Sequence, residues 1–192
     1  MSSIVVTTPP AIEPVTLAEA KMNSRISVSE DDALVEAMIT TAREWAEMFT
    51  RRAFITQTIT WSMDGFPACG IFFVPRPPLQ SVTSVKYYDI DGVQQTISSG
   101  DYQVDTLSAP GRVAEEPDYS WPSVEAERLN AVEMIYPAGY GDAASDVPER
   151  AKQAIKLLVG HWYENREDTV EKMLRNIPKG AEYLLYSLKG DY

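Results

Sequence analysis

Apolar residues recur at helical spacing in two long stretches of this chain and alternate with polar ones in the stretch between. In the first, Leu34, Met38, Thr41/Ala42, Trp45 and Met48/Phe49 follow one another every three or four residues, the period of an amphipathic helix. Ser29-Glu-Asp-Asp32 ahead of them supplies an N-cap and acids for the positive helix end, and Arg51-Arg52 supplies cations for the negative one. In the second, Ala151, Ala154/Ile155, Leu158/Val159 and Trp162/Tyr163 form one apolar face, with Ser145 or Asp146 as cap and Pro148 in the first turn. The bulky positions Leu34, Met38, Trp45, Phe49, Leu158 and Trp162 predict faces that serve as core or as subunit contact. Thr16-Leu-Ala-Glu19 is a capping-box pattern that opens a shorter helix to about Asn23.

The period changes at Phe54. Ile55-Thr-Gln-Thr-Ile-Thr-Trp-Ser-Met63 alternates and is β-branched, so it reads as a strand. Ile71–Val74 is a second strand and Val82–Ile90 a third, with Asp91-Gly92 as a two-residue hairpin turn and Val93–Ile97 returning. Tyr102–Val104, Gly111–Val113 and Ala131–Tyr136 complete the set, and Glu115–Arg128, rich in proline and acid, reads as an exposed loop. The fold class expected is therefore α+β: a helical framework of two long helices plus short terminal helices, with an inserted small antiparallel β lobe. The expected divisions are an N-terminal arm over 1–14, a helical framework over 15–54 and 142–176, a β lobe over 55–141 and a C-terminal segment over 177–192. Pro9, Pro10 and Pro14 keep the arm from being helical.

With 192 residues the chain can bury roughly two-thirds of its unfolded surface and needs no covalent staples. Its single cysteine, Cys69, excludes an internal disulfide and suits a reducing compartment. Neither a secretory leader nor a membrane-spanning stretch is legible, so a soluble protein is expected. The net charge is −11, and between Tyr87 and Asp146 twelve carboxylates face only Arg112 and Arg128. That balance excludes tight wrapping of nucleic acid, whose phosphates demand Lys and Arg. It suits solubility, or a surface that lies near DNA without holding it.

Catalytic patterns are weak. His161 is the sole histidine, which excludes histidine-rich metal sites, and a core-edge or interface role fits it better than a relay with Cys69. Asp89-Ile-Asp91-Gly92 resembles the start of a calcium loop but lacks its third acid and closing glutamate. Asp89/Asp91 or Glu115-Glu116 could serve a hydrolase only as paired carboxylates. No catalytic residue, metal site or cofactor is expected. The cluster Tyr183-Leu-Leu-Tyr-Ser-Leu188 near the terminus either docks on its own fold or enters a partner's groove.

Several stretches, in order, carry a family resemblance: Val15-Thr-Leu-Ala-Glu-Ala-Lys21, Glu30-Asp-Asp-Ala-Leu-Val-Glu-Ala37, Ala53-Phe-Ile-Thr-Gln-Thr58, Pro75-Arg-Pro-Pro-Leu-Gln-Ser-Val82, Tyr136-Pro-Ala-Gly-Tyr-Gly141, Val147-Pro148 and His161-Trp-Tyr-Glu-Asn-Arg-Glu167. From about Pro14 to Arg166 the chain resembles phage head–tail connector (adaptor) proteins of the gp6-like kind, in the long variety with a β insertion. The resemblance implies a ring, usually of twelve subunits, in the neck of a phage, prophage or gene transfer agent particle assembled in the bacterial cytoplasm. Its implied partners are the portal above and a stopper or tail-completion protein below, with DNA passing through unbound and no membrane involved. Connectors commonly engage the portal through the C-terminal segment, which implies that role for Ile177, Tyr183, Leu184, Leu185, Tyr186 and Leu188. Asp89, Asp91, Glu115, Glu116 and Asp118 are the acids expected to approach the channel. A stopper subunit is the alternative within the same particle, and a carboxylate-dependent phage hydrolase the alternative outside it.

Overall fold

A computed structural model describes residues 2–165 and 178–190. The chain divides into a β unit, Met1–Pro10 with Thr56–Gly139, and a helical unit, Ala11–Ile55 with Tyr140–Asp191.

In the helical unit, α1 (Leu17–Ser24) opens on the expected capping box: Glu19 N–H donates to Thr16 Oγ1 at 3.2 Å, and Thr16 N–H donates to Glu19 Oε2 at 2.8 Å. The Thr16 amide holds the Glu19 carboxyl below its ordinary value. α2 (Asp32–Thr50) starts later than the Ser29 cap predicts. Its N-cap, Asp31, makes no side-chain cap and instead accepts the Tyr163 hydroxyl at 2.7 Å, which ties the two long helices together. α3 (Glu149–Glu164) follows a single 3-10 turn, Ala144–Asp146, in which Asp146 Oδ2 accepts Ala143 N–H at 3.0 Å. A Cβ on Gly141 would lie 2.1 Å from that same oxygen, so the second glycine of Ala-Gly-Tyr-Gly is needed for the turn to close.

α3 packs against α1, α2 and α4 (Lys179–Tyr186). Fully buried Val35, Ile39, Ala42, Ala46, Ile155, Leu158 and Val159 form the centre. Each large aliphatic among them contributes about 1.5–3 kcal/mol of burial. The buried face of α2 thus sits one residue on from the predicted one. Leu34 is exposed, while Met38, Trp45, Phe49 and Trp162 are half-buried at the margin of the core and Leu158 lies at its centre. The reason is steric: where two helices approach most closely, Ala42 and Ala46 fit and aromatic rings do not.

The β unit holds two antiparallel sheets. The larger has five strands in the order β1 (Ser2–Thr8), β2 (Gln57–Met63), β8 (Val132–Ala138), β4 (Ser84–Tyr88), β5 (Gln94–Ile97). The smaller is β3 (Ile71–Val74), β7 (Gly111–Glu115), β6 (Tyr102–Asp105). β8 alternates between buried and half-buried positions, with Val132, Met134, Tyr136 and Ala138 all buried, as a central strand facing one core should. Burial of the Tyr136 ring pushes its hydroxyl pKa up, and the hydroxyl donates to Pro75 C=O at 2.8 Å. The extended N-terminal stretch pairs through its β-branched run Ile4-Val-Val-Thr-Thr8 with β2 as an edge strand. One expectation needs correcting here. The loop 115–128 is not simply exposed, because Trp121 is half-buried, stacks on Phe66 at 5.1 Å and meets Phe72 edge-on at 5.4 Å.

Candidate assembly surfaces

Among the described residues no three histidine, cysteine or carboxylate side chains gather to hold a metal, and no helix is long and apolar enough to cross a membrane. Cys69 and His161 belong to different units. Cys69 is exposed and its Sγ donates to Ile71 C=O at 3.4 Å, while a His161 ring nitrogen lies 3.5 Å from Asn165 Nδ2.

The C-terminal helix divides the predicted docking residues. Leu185, like Ala181, is fully buried, and Leu184 and Leu188 pack on the helical core, so these leucines hold α4 to its own fold. Arg150 Nη1 donates to Ser187 Oγ at 3.0 Å and Arg52 Nε donates to Leu188 C=O, fastening the end of the helix. Ile177 lies outside the described residues. Tyr183 and Tyr186, three apart on the opposite face, are 78% and 66% exposed. Lys189 sets its ammonium 5.8 Å from the Tyr186 ring centroid and 5.5 Å from that of Phe49, giving an exposed aromatic patch with one cation over it. The i, i+3 and i+4 pattern of apolar residues gave the helix, but which side meets the core depends on α3 and could not be read from the cluster alone.

Of the five acids expected at a channel, three are engaged in local hydrogen bonds and two are not. Asp89 accepts Asp91 N–H, Val93 N–H and Gln95 Nε2 at 3.1, 2.9 and 2.8 Å, and the Gln95 and Val93 bonds hold its carboxyl below the usual value. Glu115 Oε1 accepts Trp121 N–H at 2.6 Å, and Glu116 accepts Gln103 Nε2 at 3.1 Å. Asp91 and Asp118 are exposed and make no side-chain hydrogen bond among the described residues. Asp105, which sequence reasoning missed, takes the most turn bonds: Ser108, Arg112 and Leu107 donate to it, Ser108 Oγ at 2.6 Å and Arg112 Nη2 at 2.7 Å. These bonds, the Ser108 hydroxyl first, hold its carboxyl far below the usual range. The Asp-Thr-Leu-Ser spacing of an Asx turn was the available signal.

A different kind of surface lies at the ends of the large sheet. β1 is exposed along its whole length and β5 at three of its four residues, and among the described residues each pairs with a neighbour on one side only.

The fold has solved counterparts. It is similar to a chain in the virion of a native gene transfer agent (GTA) particle, with TM-score 0.81 and 20% identity over 98% of this chain and 96% of that one. It is also similar to chains from the neck of an empty GTA particle computed with C6 symmetry (TM-score 0.79, 21% identity) and from the neck of a native particle computed with C12 symmetry (TM-score 0.76, 22% identity). Both of those matches cover 100% of this chain and 96% of the other. No curated protein matches the sequence. Residues 124–189 match the family described as phage gp6-like head-tail connector protein.

Proposed function

We propose that the protein is a structural subunit of a particle neck, a head–tail connector that forms a ring beneath the portal of a tailed phage or gene transfer agent and continues the DNA channel toward the tail. The observation that carries this reading is the end-to-end likeness to neck chains solved with C6 and C12 symmetry, reinforced by the gp6-like match. A closed ring requires each subunit to offer two different, complementary surfaces. The role is mechanical rather than enzymatic. The exposed Tyr183/Tyr186 face is the portal contact, since Leu184, Leu185 and Leu188 are already engaged. Asp91 and Asp118 are the acids left to face the lumen, where negative charge lets phosphate slide past. The stopper or tail-completion protein binds the opposite rim.

Electron microscopy of the protein mixed with the portal ring from its own genome tests this. Because α4 is part of the helical core, the variant to compare is Tyr183→Ala/Tyr186→Ala rather than a truncation. Rings added to the portal by the native chain and lost with the double variant support both the role and the contact. Rings from both move the contact elsewhere, and rings from neither refute the connector reading.

A further inference from the structure

The two edges of the five-stranded sheet share properties that mark them as a pair. β1 reads Ser-Ser-Ile-Val-Val-Thr-Thr and β5 Gln-Gln-Thr-Ile, without a charge or a proline in a chain that is 23% charged. Proteins ordinarily guard a sheet edge with lysine, proline, inward charge or a covering element, because its unpaired N–H and C=O groups template another strand. β1 has one irregularity, a register shift between Val6 and Thr8, and otherwise presents Ile4, Val5 and Val6 at 41, 54 and 43% exposure. In the smaller sheet the β3 edge, Ile71-Phe-Phe-Val74, is uncharged too, but the β6 edge ends on Asp105, which is bonded to Arg112, so only the larger sheet has two uncharged edges.

Direction supplies the second argument. All four ladders between β1 and β5 are antiparallel, so strand sense reverses four times and the two edges run the same way. A rotation that carries one copy beside the next brings β5 of the first alongside β1 of the second in parallel, with sheet and strand sense preserved. A two-fold axis would instead pair β1 with β1. Only the head-to-tail arrangement uses both edges and propagates until it closes. Copies that each carry a net charge of −11 repel over most of their surface, and these uncharged strips are where they can meet.

We propose that neighbouring subunits are joined by strand addition, β1 of one copy pairing in parallel with β5 of the next, so that the large sheet continues around the ring. This rests on the ring reading above. It also fixes which side chains come together. Cross-strand partners share a face: Val5 opposes Thr60, Thr60 opposes Ile135, and Ile135 opposes Ser84. Lys86 is two residues along from Ser84 on the same face and opposes Thr96. Val5 therefore shares its face with Gln94 and Thr96, and Gln95 lies on the other.

The test replaces Cys69 with serine and introduces cysteine pairs into the full chain assembled on its portal, with ring formation scored by microscopy in the same samples. Val5→Cys with Gln94→Cys or Thr96→Cys is expected to give a ladder of disulfide-linked multimers on a non-reducing gel. Val5→Cys with Gln95→Cys, or with Phe73→Cys on the β3 edge, is expected to give none. Val5→Lys, at a half-exposed site, is expected to abolish rings while leaving the melting temperature unchanged. Rings that form without the same-face ladder, or that survive Val5→Lys, overturn strand addition and leave the ring reading intact. Dimers from Val5→Cys alone mean a two-fold β1–β1 contact and overturn it too. Failure of the parent chain to form rings removes the ring reading and this inference with it.

Discussion

The two units place their charges in opposite ways. In the helical unit Arg43 and Glu47 are 5% and 3% exposed and lie inside. Arg43 Nη1 donates to Glu47 Oε2 at 2.9 Å and its Nε to Glu13 Oε2 at 2.8 Å, while Glu47 Oε1 accepts Phe54 N–H at 2.7 Å. Burial alone pulls the Arg43 pKa down, yet the Glu13 and Glu47 carboxylates outweigh it and the net shift is upward. One buried network thus links the segment before α1, the middle of α2 and the chain just after it. In the β unit Asp89 and Asp105 cap turns at the surface, and an aromatic cluster of Phe66, Phe72, Tyr87 and Trp121 provides the fixed contacts around the loop. A buried charge network tolerates little change, because removing one member strands the others. Exposed caps act one turn at a time.

The sharpest way to break this contrast is Glu47→Ala, which leaves a buried guanidinium and a buried N–H short of a partner. It is expected to cost about 3–5 kcal/mol in urea unfolding. Leu185→Ala should cost about 3 kcal/mol by the same measurement, since α4 is core and not a loose arm. A loss below about 1 kcal/mol would return α4 to the role of a docking segment. In the β unit Trp121→Ala should cost roughly 2 kcal/mol, through its ring contacts and its indole bond to Gly70 C=O at 3.0 Å. Tyr183→Ala and Tyr186→Ala, on the exposed face, should each change stability by no more than about 0.5 kcal/mol while reducing portal binding.

The smallest effect concerns pH. The Asp105 carboxyl is depressed in the folded state, so its contribution is complete above the unfolded value near 4 and is lost as pH falls toward the folded one. The native chain should therefore lose melting temperature below about pH 4 more steeply than Asp105→Asn, which carries no titrating group there. Parallel melting curves between pH 5 and pH 2 for the two would show that the cap is not held in solution.

Much of the architecture was legible. The period change at Phe54, the capping box at Thr16, the Asp91-Gly92 turn and the second apolar face from Ala151 all correspond to observed elements. Each of these signals is complete within a few residues, because a cap or a tight turn closes its hydrogen bonds locally. The assembly surfaces were less legible. The aromatic and leucine cluster of 183–188 carried no mark separating the face that joins the helical core from the one left open.

By itself, then, the sequence determined the element types, the excess of acid over base, and a family likeness spread over ordered motifs. The tertiary structure decided what depends on partners distant in the chain. Val5 and Thr60, fifty-five residues apart, turn an apparent arm into an edge strand. Trp121 and Phe66 anchor a loop that reads as solvent-exposed. Ala42 and Ala46 take the core line of α2 from larger neighbours. In each case the deciding quantity is which surfaces approach closely enough to exclude water, and that is set by packing across the fold and not by any local run of residues.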